Sequence, residues 1–335
     1  MKELQTLFKL VSVYSPSGNE EEVRETLKEV IEEVTGGTVE VWEDGAGNVL
    51  ASPSKKPQYE VALISHMDTV PGFPQPKIVG DKVYGRGAVD AKGPLNAMIW
   101  ALAKIGEGPI LLGAMVREET DSYGAKYLKE NGPKARYVII GEPSNNTNVI
   151  IGYRGYAWLK VECKAKGGHA SSPEVGESAV DKLIELYLKA KENLQPATVS
   201  LTTIVSKNAF NVLPKEVVAQ FDVRYPKGVE LESILKAFEP CDVELVDGLP
   251  PAEVKPSSPV PRALARAILK SGKRARYAKK RGTSDMNVLA EVSESIAAYG
   301  PGKSELSHTD GEVMSLEEIK HAIEVYERAV RELLS

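Results

Sequence analysis

The chain is poor in cysteine, histidine, glutamine and aromatic residues, and each scarcity excludes something. Its 335 residues include two cysteines, four histidines and five glutamines. Cys163 and Cys241 form no disulfide framework and no metal-like spacing, which fits a reducing cytoplasm. No apolar run approaches the ~20 residues of a membrane-spanning helix. The opening Met1-Lys2-Glu3-Leu4 is charged at once and Lys9 interrupts the one candidate apolar stretch, so no signal peptide is expected. Aromatic residues make up 6% of the chain. Aromatic-rich basic strands, on which RNA bases would stack, are missing. A net charge of −5 gives no global pull toward nucleic acid or a membrane surface. Few Gln, Cys and Met among many Lys and Glu resemble the composition of a thermophile's protein.

What is present has two textures. Leu4, Leu7, Phe8 and Val11 recur at helical spacing, and Ser17 with Glu20 reads as a capping box opening a second helix. That helix carries Val23, Leu27, Val30, Ile31 and Val34 on one face. Residues 61–65, 110–116 and 137–140 are continuous apolar runs, read as buried strands, with a helix over 95–105. Such runs imply an α/β fold, a central mixed sheet flanked by helices. From residue 153 the pattern alternates: strand 157–165, helix 177–191, strands 198–206 and 216–225, helix 229–238, strand 243–246. That β-α-β-β-α-β order is the ferredoxin-like α+β arrangement. Leu249-Pro250-Pro251 and the proline-rich 255–259 read as a linker, and the segments after it rejoin the first part. The expected organisation is a discontinuous catalytic domain, 1–152 and 258–335, with a lid domain inserted at 153–257.

Three histidines sit in phrases that suit a metal site. His66 and Asp68 are two apart at a strand end, so both project to one face. His66 can ligate a metal while Asp68 orients its imidazole. Asp90 follows a glycine turn and precedes a helix starting near Pro94. Its two oxygens suit a bridge between metals about 3.5–4 Å apart, although an ordinary helix N-cap would also use Asp here. Glu118 and Glu119 point opposite ways on extended backbone, so one can bind metal while the other takes a proton from water. An exposed acidic strand end would look the same. Glu142 follows another strand, where open α/β sheets place their sites, and His308 completes the set. Three ligand carboxylates against two divalent cations leave +1. Mixed N and O ligands without thiolate fit two zinc ions, with cobalt or manganese as alternatives. His321 lies opposite the Ile319, Ile323, Tyr326, Val330 stripe and is expected to face solvent.

Five ordered motifs carry a family resemblance: His66-Met67-Asp68-Thr69-Val70, Gly85-Arg86-Gly87-Ala88-Val89-Asp90-Ala91-Lys92-Gly93, Glu118-Glu119, Gly141-Glu142-Pro143 and His308-Thr309-Asp310. Across essentially the whole chain they resemble the co-catalytic di-zinc amidohydrolases, which include succinyl-diaminopimelate desuccinylase, acetylornithine deacetylase and glutamate carboxypeptidase. The resemblance implies that Asp90 bridges, that His66 and Glu142 hold one metal, and that Glu119 and His308 hold the other. It makes Glu118 the general base and Asp68 the orienting acid, and implies a cis peptide after Asp90. It further implies a homodimer through the lid, in which His169, of Gly167-Gly168-His169-Ala170, enters the partner's active site to stabilise the oxyanion.

An amide next to an amino-acid carboxylate requires a carboxylate clamp. Arg224 and Asn211 resemble the family's clamp, and Thr283 and Ser284 in Gly282-Thr283-Ser284-Asp285 offer hydroxyls at a helix start. Arg224 could instead pair with Asp222, and Ser284 could simply cap. The segment 270–281 holds seven cations, including Lys273, Arg274, Arg276, Lys279, Lys280 and Arg281. In an acidic chain that concentration suggests an anionic partner. The chain is compact for the family and resembles its archaeal-type hydrolases of lysine and arginine biosynthesis, which free lysine or ornithine from a small acidic amino-group carrier protein. The expected function is therefore that hydrolysis, in the cytoplasm, with no nucleic-acid or membrane partner. A free N-acyl-amino-acid deacylase or a dipeptidase is the alternative within the class. A non-catalytic metal- or RNA-binding protein is the alternative outside it.

Overall fold

Uninterrupted apolar runs form the inner strands of a mixed sheet in the computed structural model, which describes residues 1–335. The sheet runs in the order Glu40–Glu43, Val49–Ser52, Ile110–Met115, Gln58–His66, Lys134–Gly141, Ser295–Tyr299, Asn148–Tyr153. Its four inner strands, from Ile110–Met115 to Ser295–Tyr299, are parallel, and the flanking pairs are antiparallel. Val61 and Leu63 on one face, and Ala62 and Ile64 on the other, are all buried. Both faces are therefore covered, which is why these strands do not alternate with polar residues. Helix Lys92–Ile105 packs on the sheet and against helices Lys2–Val11, Glu21–Thr35 and Leu316–Leu334.

Residues 1–152, 254–279 and 284–335 form this first unit, and 153–253 with 280–283 form a second. The second unit holds an antiparallel sheet in the order Thr198–Val205, Glu216–Tyr225, Gly155–Lys164, Asp242–Leu249. Helices Ala179–Asn193 and Leu231–Lys236 complete a β-α-β-β-α-β topology around Leu159, Val161, Leu183, Phe221 and Phe238. No helix in the chain is long and apolar enough to cross a membrane.

Three sequence expectations are corrected here. Ser17 and Glu20 make no capping box: helix Glu21–Thr35 has no side-chain cap. Ser17 Oγ instead donates to Asp68 Oδ2 at 2.6 Å, and Glu20 Oε1 accepts from the Gly18 and Arg117 backbone N–H groups. Cys163 and Cys241 are not separate thiols but a disulfide, 78 residues apart in sequence. Cys163 lies in strand Gly155–Lys164 and Cys241 directly precedes its neighbour Asp242–Leu249, and with Asp242 opposite Glu162 the register brings the two sulfurs together.

His321, expected in solvent, is buried. Helix Leu316–Leu334 packs against helix Pro259–Lys270 as well as Lys92–Ile105, so its covered face is wider than one stripe. Ser271 Oγ donates to the Ile268 carbonyl and lies 2.7 Å from His321 Nε2, so it accepts the Nε2 proton. His321 Nδ1 faces the Asn146 amide N–H at 3.4 Å, a donor, and lies 3.3 Å from the Tyr299 hydroxyl, whose own proton goes to the Asn146 carbonyl at 3.1 Å. Burial, with Lys273 beside it and against Glu324 and Glu317, lowers its pKa to about 4.

A histidine in an unfolded chain titrates near 6.5. The neutral imidazole's contribution to stability is therefore complete above pH 6.5 and lost as pH falls toward 4. Denaturant unfolding between pH 7.5 and 4 should show wild type losing about 2–3 kcal/mol more than His321→Gln. Identical pH slopes in the two proteins would remove this assignment.

Candidate metal centre

Parallel register sets the site. His66 pairs with Met115 and Ile64 with Ile140, so three adjacent strands leave the sheet at one level. Past that level lie His66 itself, then Glu118 and Glu119, then Glu142. Asp90 arrives from the loop before helix Lys92–Ile105, and the Asp90–Ala91 peptide is cis. A Cβ on Gly93 would stand 2.3 Å from the Ala88 carbonyl oxygen, so only glycine lets the helix start against that loop. His308 comes from the C-terminal segment, with φ at +64° and half of its side chain exposed.

His66 Nε2 lies 3.3 Å from Asp90 Oδ1, 3.7 Å from Glu142 Oε1 and 3.9 Å from Glu118 Oε2. His308 Nε2 lies 3.0 Å from Glu119 Oε1 and 3.5 Å from Asp90 Oδ2. The two oxygens of Asp90 thus face different imidazoles, as a bridging carboxylate's would. Two ligand groups, His66 with Asp90 and Glu119, and His66 with Glu118 and Glu142, have donor atoms within 4.8 Å of one another. Four carboxylates this close repel strongly in a site shielded from water, and this donor set fits divalent cations.

The electrostatics follow from that crowding. Burial, reinforced by Glu142, Asp285 and Glu119 against His66, holds the Glu118 carboxyl well above its ordinary range. Burial also raises Glu119, tempered by its bond from His308. Burial alone would lower His66, but Glu118, Asp68 and Asp90 outweigh it and hold the imidazole well above its ordinary value. The hydrogen bond to Glu119 raises His308. Bound divalent cations reverse this logic by favouring the deprotonated ligands.

Asp68 does more than the sequence suggested. Its main-chain carbonyl, not its carboxylate, makes the shorter contact to His66 Nδ1, 3.0 Å against 3.4 Å. A carbonyl only accepts, so Nδ1 carries a proton in either charge state, and Nε2, which faces Asp90 and Glu142, is the nitrogen that a bound cation would deprotonate and ligate. The Asp68 carboxylate accepts the backbone N–H groups of Glu118 and Glu119, each at 3.1 Å, and the Ser17 hydroxyl. Burial opposes ionisation of Asp68, but these bonds and His66 prevail and its pKa is lowered.

The remaining predicted residues divide between the units. His169, Asn211, Arg224, Thr283, Lys280 and Arg281 belong to the second; Ser284, Lys273, Arg274, Arg276 and Lys279 belong to the first. His169 and Asn211 meet at a small two-stranded ribbon: His169 pairs with Val212, and the Ala170 N–H donates to the Asn211 carbonyl. His169 Nδ1 accepts the Ser171 N–H at 3.2 Å, which puts the ring proton on exposed Nε2. Arg224 forks onto Asp222, Nε to Oδ1 at 2.8 Å and Nη2 to Oδ2 at 3.0 Å, and reaches Thr283 Oγ1 at 3.5 Å. Ser284 is buried and caps helix Asp285–Leu289, so its hydroxyl is committed to the fold. Lys273 faces Glu317 at 3.8 Å, while Arg274, Arg276, Lys279 and Arg281 are exposed.

Sequence reasoning passed over three buried charged groups. Asp285 makes no hydrogen bond of ordinary geometry, and burial, with Asp68 against His66, raises its pKa to about 7. Lys92 donates to the Leu10 and Val13 carbonyls, and burial against Asp68 and Glu312 lowers its pKa to about 7. Glu312 is also buried. Lys92 and Asp285 lie inside motifs and Glu312 just beyond one, but nothing local tells a buried charge from an exposed one.

Residues 62–332 match the family model described as peptidase family M20/M25/M40. The chain is 37% identical to a "[LysW]-lysine/[LysW]-ornithine hydrolase" of Saccharolobus islandicus (strain M.16.4 / Kamchatka #3), over 99% of this chain and 96% of that one. It is 38% identical to a protein of the same name from Sulfurisphaera tokodaii, over 99% and 95%. Among solved structures, aminopeptidase PepT from Bacillus cereus superposes with a TM-score of 0.79 at 23% identity, covering 99% and 98%. The M20 family metallo-carboxypeptidase Sso-CP2 from Sulfolobus solfataricus gives 0.77 at 17% identity, covering 99% of each chain.

Asp68→Asn keeps the main-chain carbonyl but replaces one acceptor oxygen with an amide facing a backbone N–H. It should weaken metal binding by about 10–100-fold in chelator competition, with little change in fold by circular dichroism. Unaltered affinity would leave the carbonyl alone as the orienting group.

Proposed function

Because the chain belongs to peptidase family M20/M25/M40, and is accordingly a metal-dependent hydrolase of amide bonds, we propose that it frees lysine, ornithine or both from an amino-group carrier protein. The bond cut is the amide between the γ-carboxyl of the carrier's C-terminal glutamate and the α-nitrogen of the amino acid. Likeness along nearly the full length of both chains to the LysW-lysine/LysW-ornithine hydrolases carries the substrate assignment. The exposed cations Arg274, Arg276, Lys279 and Arg281, with Lys273 and Lys280, suit a small acidic carrier, and a small acyl group would not need them.

We assign His66 and Glu142 to one metal, Glu119 and His308 to the other, and Asp90 to both, with zinc the expected ion and cobalt or manganese able to replace it. When bound, the metal pair supplies Lewis acidity that polarises the amide carbonyl and lowers the pKa of the attacking water. Glu118 is the one carboxylate of the cluster left without a ligand role. It takes the water's proton and returns it to the leaving nitrogen. Asp68 holds Glu118 and Glu119 by their backbone and fixes the His66 tautomer. His169 presents an Nε2 proton from an exposed two-stranded ribbon, as a donor to the developing oxyanion requires. In the homodimer we propose, it acts in the partner's site. The exposed Ile184 and Leu188 of helix Ala179–Asn193, with Ile204 and Val205 of the edge strand Thr198–Val205, supply an apolar surface for that pairing. Asn211, Thr283 and Arg224, the last loosened from Asp222, are proposed to clamp the substrate carboxylate. Disulfides persist inside cells of hyperthermophiles, so the Cys163–Cys241 bond is compatible with the cytoplasmic location we propose.

Mass spectrometry of zinc- or cobalt-loaded enzyme with lysine- or ornithine-bearing carrier should show loss of the amino-acid mass. Acetyl-lysine, acetyl-ornithine and succinyl-diaminopimelate in parallel should stay intact; cleavage of those alone would discard the carrier and keep the chemistry. Glu118→Gln should retain both metals yet lose about 10²–10⁴-fold in turnover. Mixing its subunits with inactive His169→Ala subunits should restore partial activity, and no recovery after confirmed exchange would sink the action in trans.

A further inference from the structure

Glu312 lies four residues beyond His308 and is 1% exposed. Its carboxylate collects four donors. Arg86 Nη1 reaches Oε1 at 2.7 Å, and the backbone N–H groups of Gly87, Val89 and Asp90 reach Oε2 at 3.0, 3.0 and 3.2 Å. Gly87 has φ at +85°, and a Cβ there would press on Lys92 and Thr69 at 3.0 Å, so the loop curls round the carboxylate only with glycine. The same guanidinium donates to the Thr309 carbonyl at 2.8 Å and to Asp310 Oδ1 at 3.1 Å. Strand Val313–Ser315 then pairs with Lys82–Tyr84. These bonds join the loop that ends in Asp90 to the segment that begins with His308. His66 and Glu142 take no part in them: His66 ends a strand held on both sides, and Glu142 directly follows one.

We propose that Glu312 and Arg86 are positioning residues that set the metal position formed by Glu119, His308 and Asp90. The other position shares Asp90 but takes His66 and Glu142 from the sheet, whereas this one takes both Asp90 and His308 from the segments that the nest joins. This rests on the two-metal reading above. It has a consequence that reading lacks: the two positions differ in what holds them, so a fault in the Glu312 nest lowers the affinity of one ion far more than that of the other. Glu312→Gln keeps one acceptor oxygen and no charge, so it cannot serve both the three backbone N–H groups and the Arg86 guanidinium. Arg86→Lys keeps the charge but loses the fork to Thr309 and Asp310.

The test titrates cobalt into metal-free wild type, Glu312→Gln, Arg86→Lys and the surface control Glu294→Gln. Visible absorption and chelator competition are read beside the melting temperature of each apo protein. Wild type and Glu294→Gln should take up two ions. Glu312→Gln and Arg86→Lys should bind the first nearly as wild type and the second about 10–100-fold more weakly, with an altered cobalt spectrum. Turnover number should fall at unchanged KM. If Glu312→Gln does not fold, Arg86→Lys decides. Equal weakening of both ions, or two ions bound as in wild type, would overturn the proposal. Wild type taking up only one ion would instead overturn the two-metal reading.

Discussion

The constraint on which the structure turns is the concentration of negative charge in a nearly dry place. Asp90, Glu118, Glu119 and Glu142 converge on two imidazoles at the carboxyl edge of a parallel sheet. In low dielectric such a group is unstable unless protons or cations neutralise it. The raised pKa values of His66, Glu118 and Glu119 record the proton solution, and the donor geometry fits the cation solution. Much of the surrounding scaffold keeps these groups from relaxing apart. Parallel strands fix His66 and Glu142, the Asp68 carboxylate grips the Glu118–Glu119 backbone, and the Gly85–Asp90 loop is wound round Glu312.

Dependence on buried polar support explains why the centre draws on most of the first unit. Ser17, which opens no helix, serves Asp68, and Glu20 steadies Arg117, next to Glu118. The N-terminal helices contribute more than apolar cover, because Lys92 ties the start of the central helix to the Leu10 and Val13 carbonyls. Removing any one of these partners strands a buried charge or N–H group, so the cost reaches the centre even when the residue never meets a ligand.

Much of this was legible in the sequence. Continuous apolar runs identified three of the four inner strands, all but Ser295–Tyr299, since only residues covered on both faces dispense with polar alternation. The family motifs named the residues that the folded chain brings together. What escaped the sequence is what tertiary contact decides. Ser17-x-x-Glu20 and Ser315-x-x-Glu318 follow the same pattern, yet only the second caps its helix, because the first pair is drawn to Asp68 and Arg117. His321 falls outside the apolar stripe of its helix, but a second packed helix covers it. Arg224 and Ser284 carried a structural and a functional reading alike, and each has the structural partner: Asp222 for one, a helix start for the other. Cys163 and Cys241 looked unrelated because strand order, not spacing, makes them neighbours.

That disulfide makes the second unit a closed ring. The chain between Cys163 and Cys241 carries the ribbon of His169 and Val212, both helices of the unit and two of the four strands of its sheet. The loop at residues 206–211, which includes Asn211, is exposed and is an accessible point for a protease within that ring. A single cut there would open the ring without releasing either piece, since one sulfur anchors each side of the nick. The cleaved protein would run as one species until a reductant was added. The strand of His169 and the strand of Val212 would then lie on separate pieces, joined by the disulfide and their own hydrogen bonds.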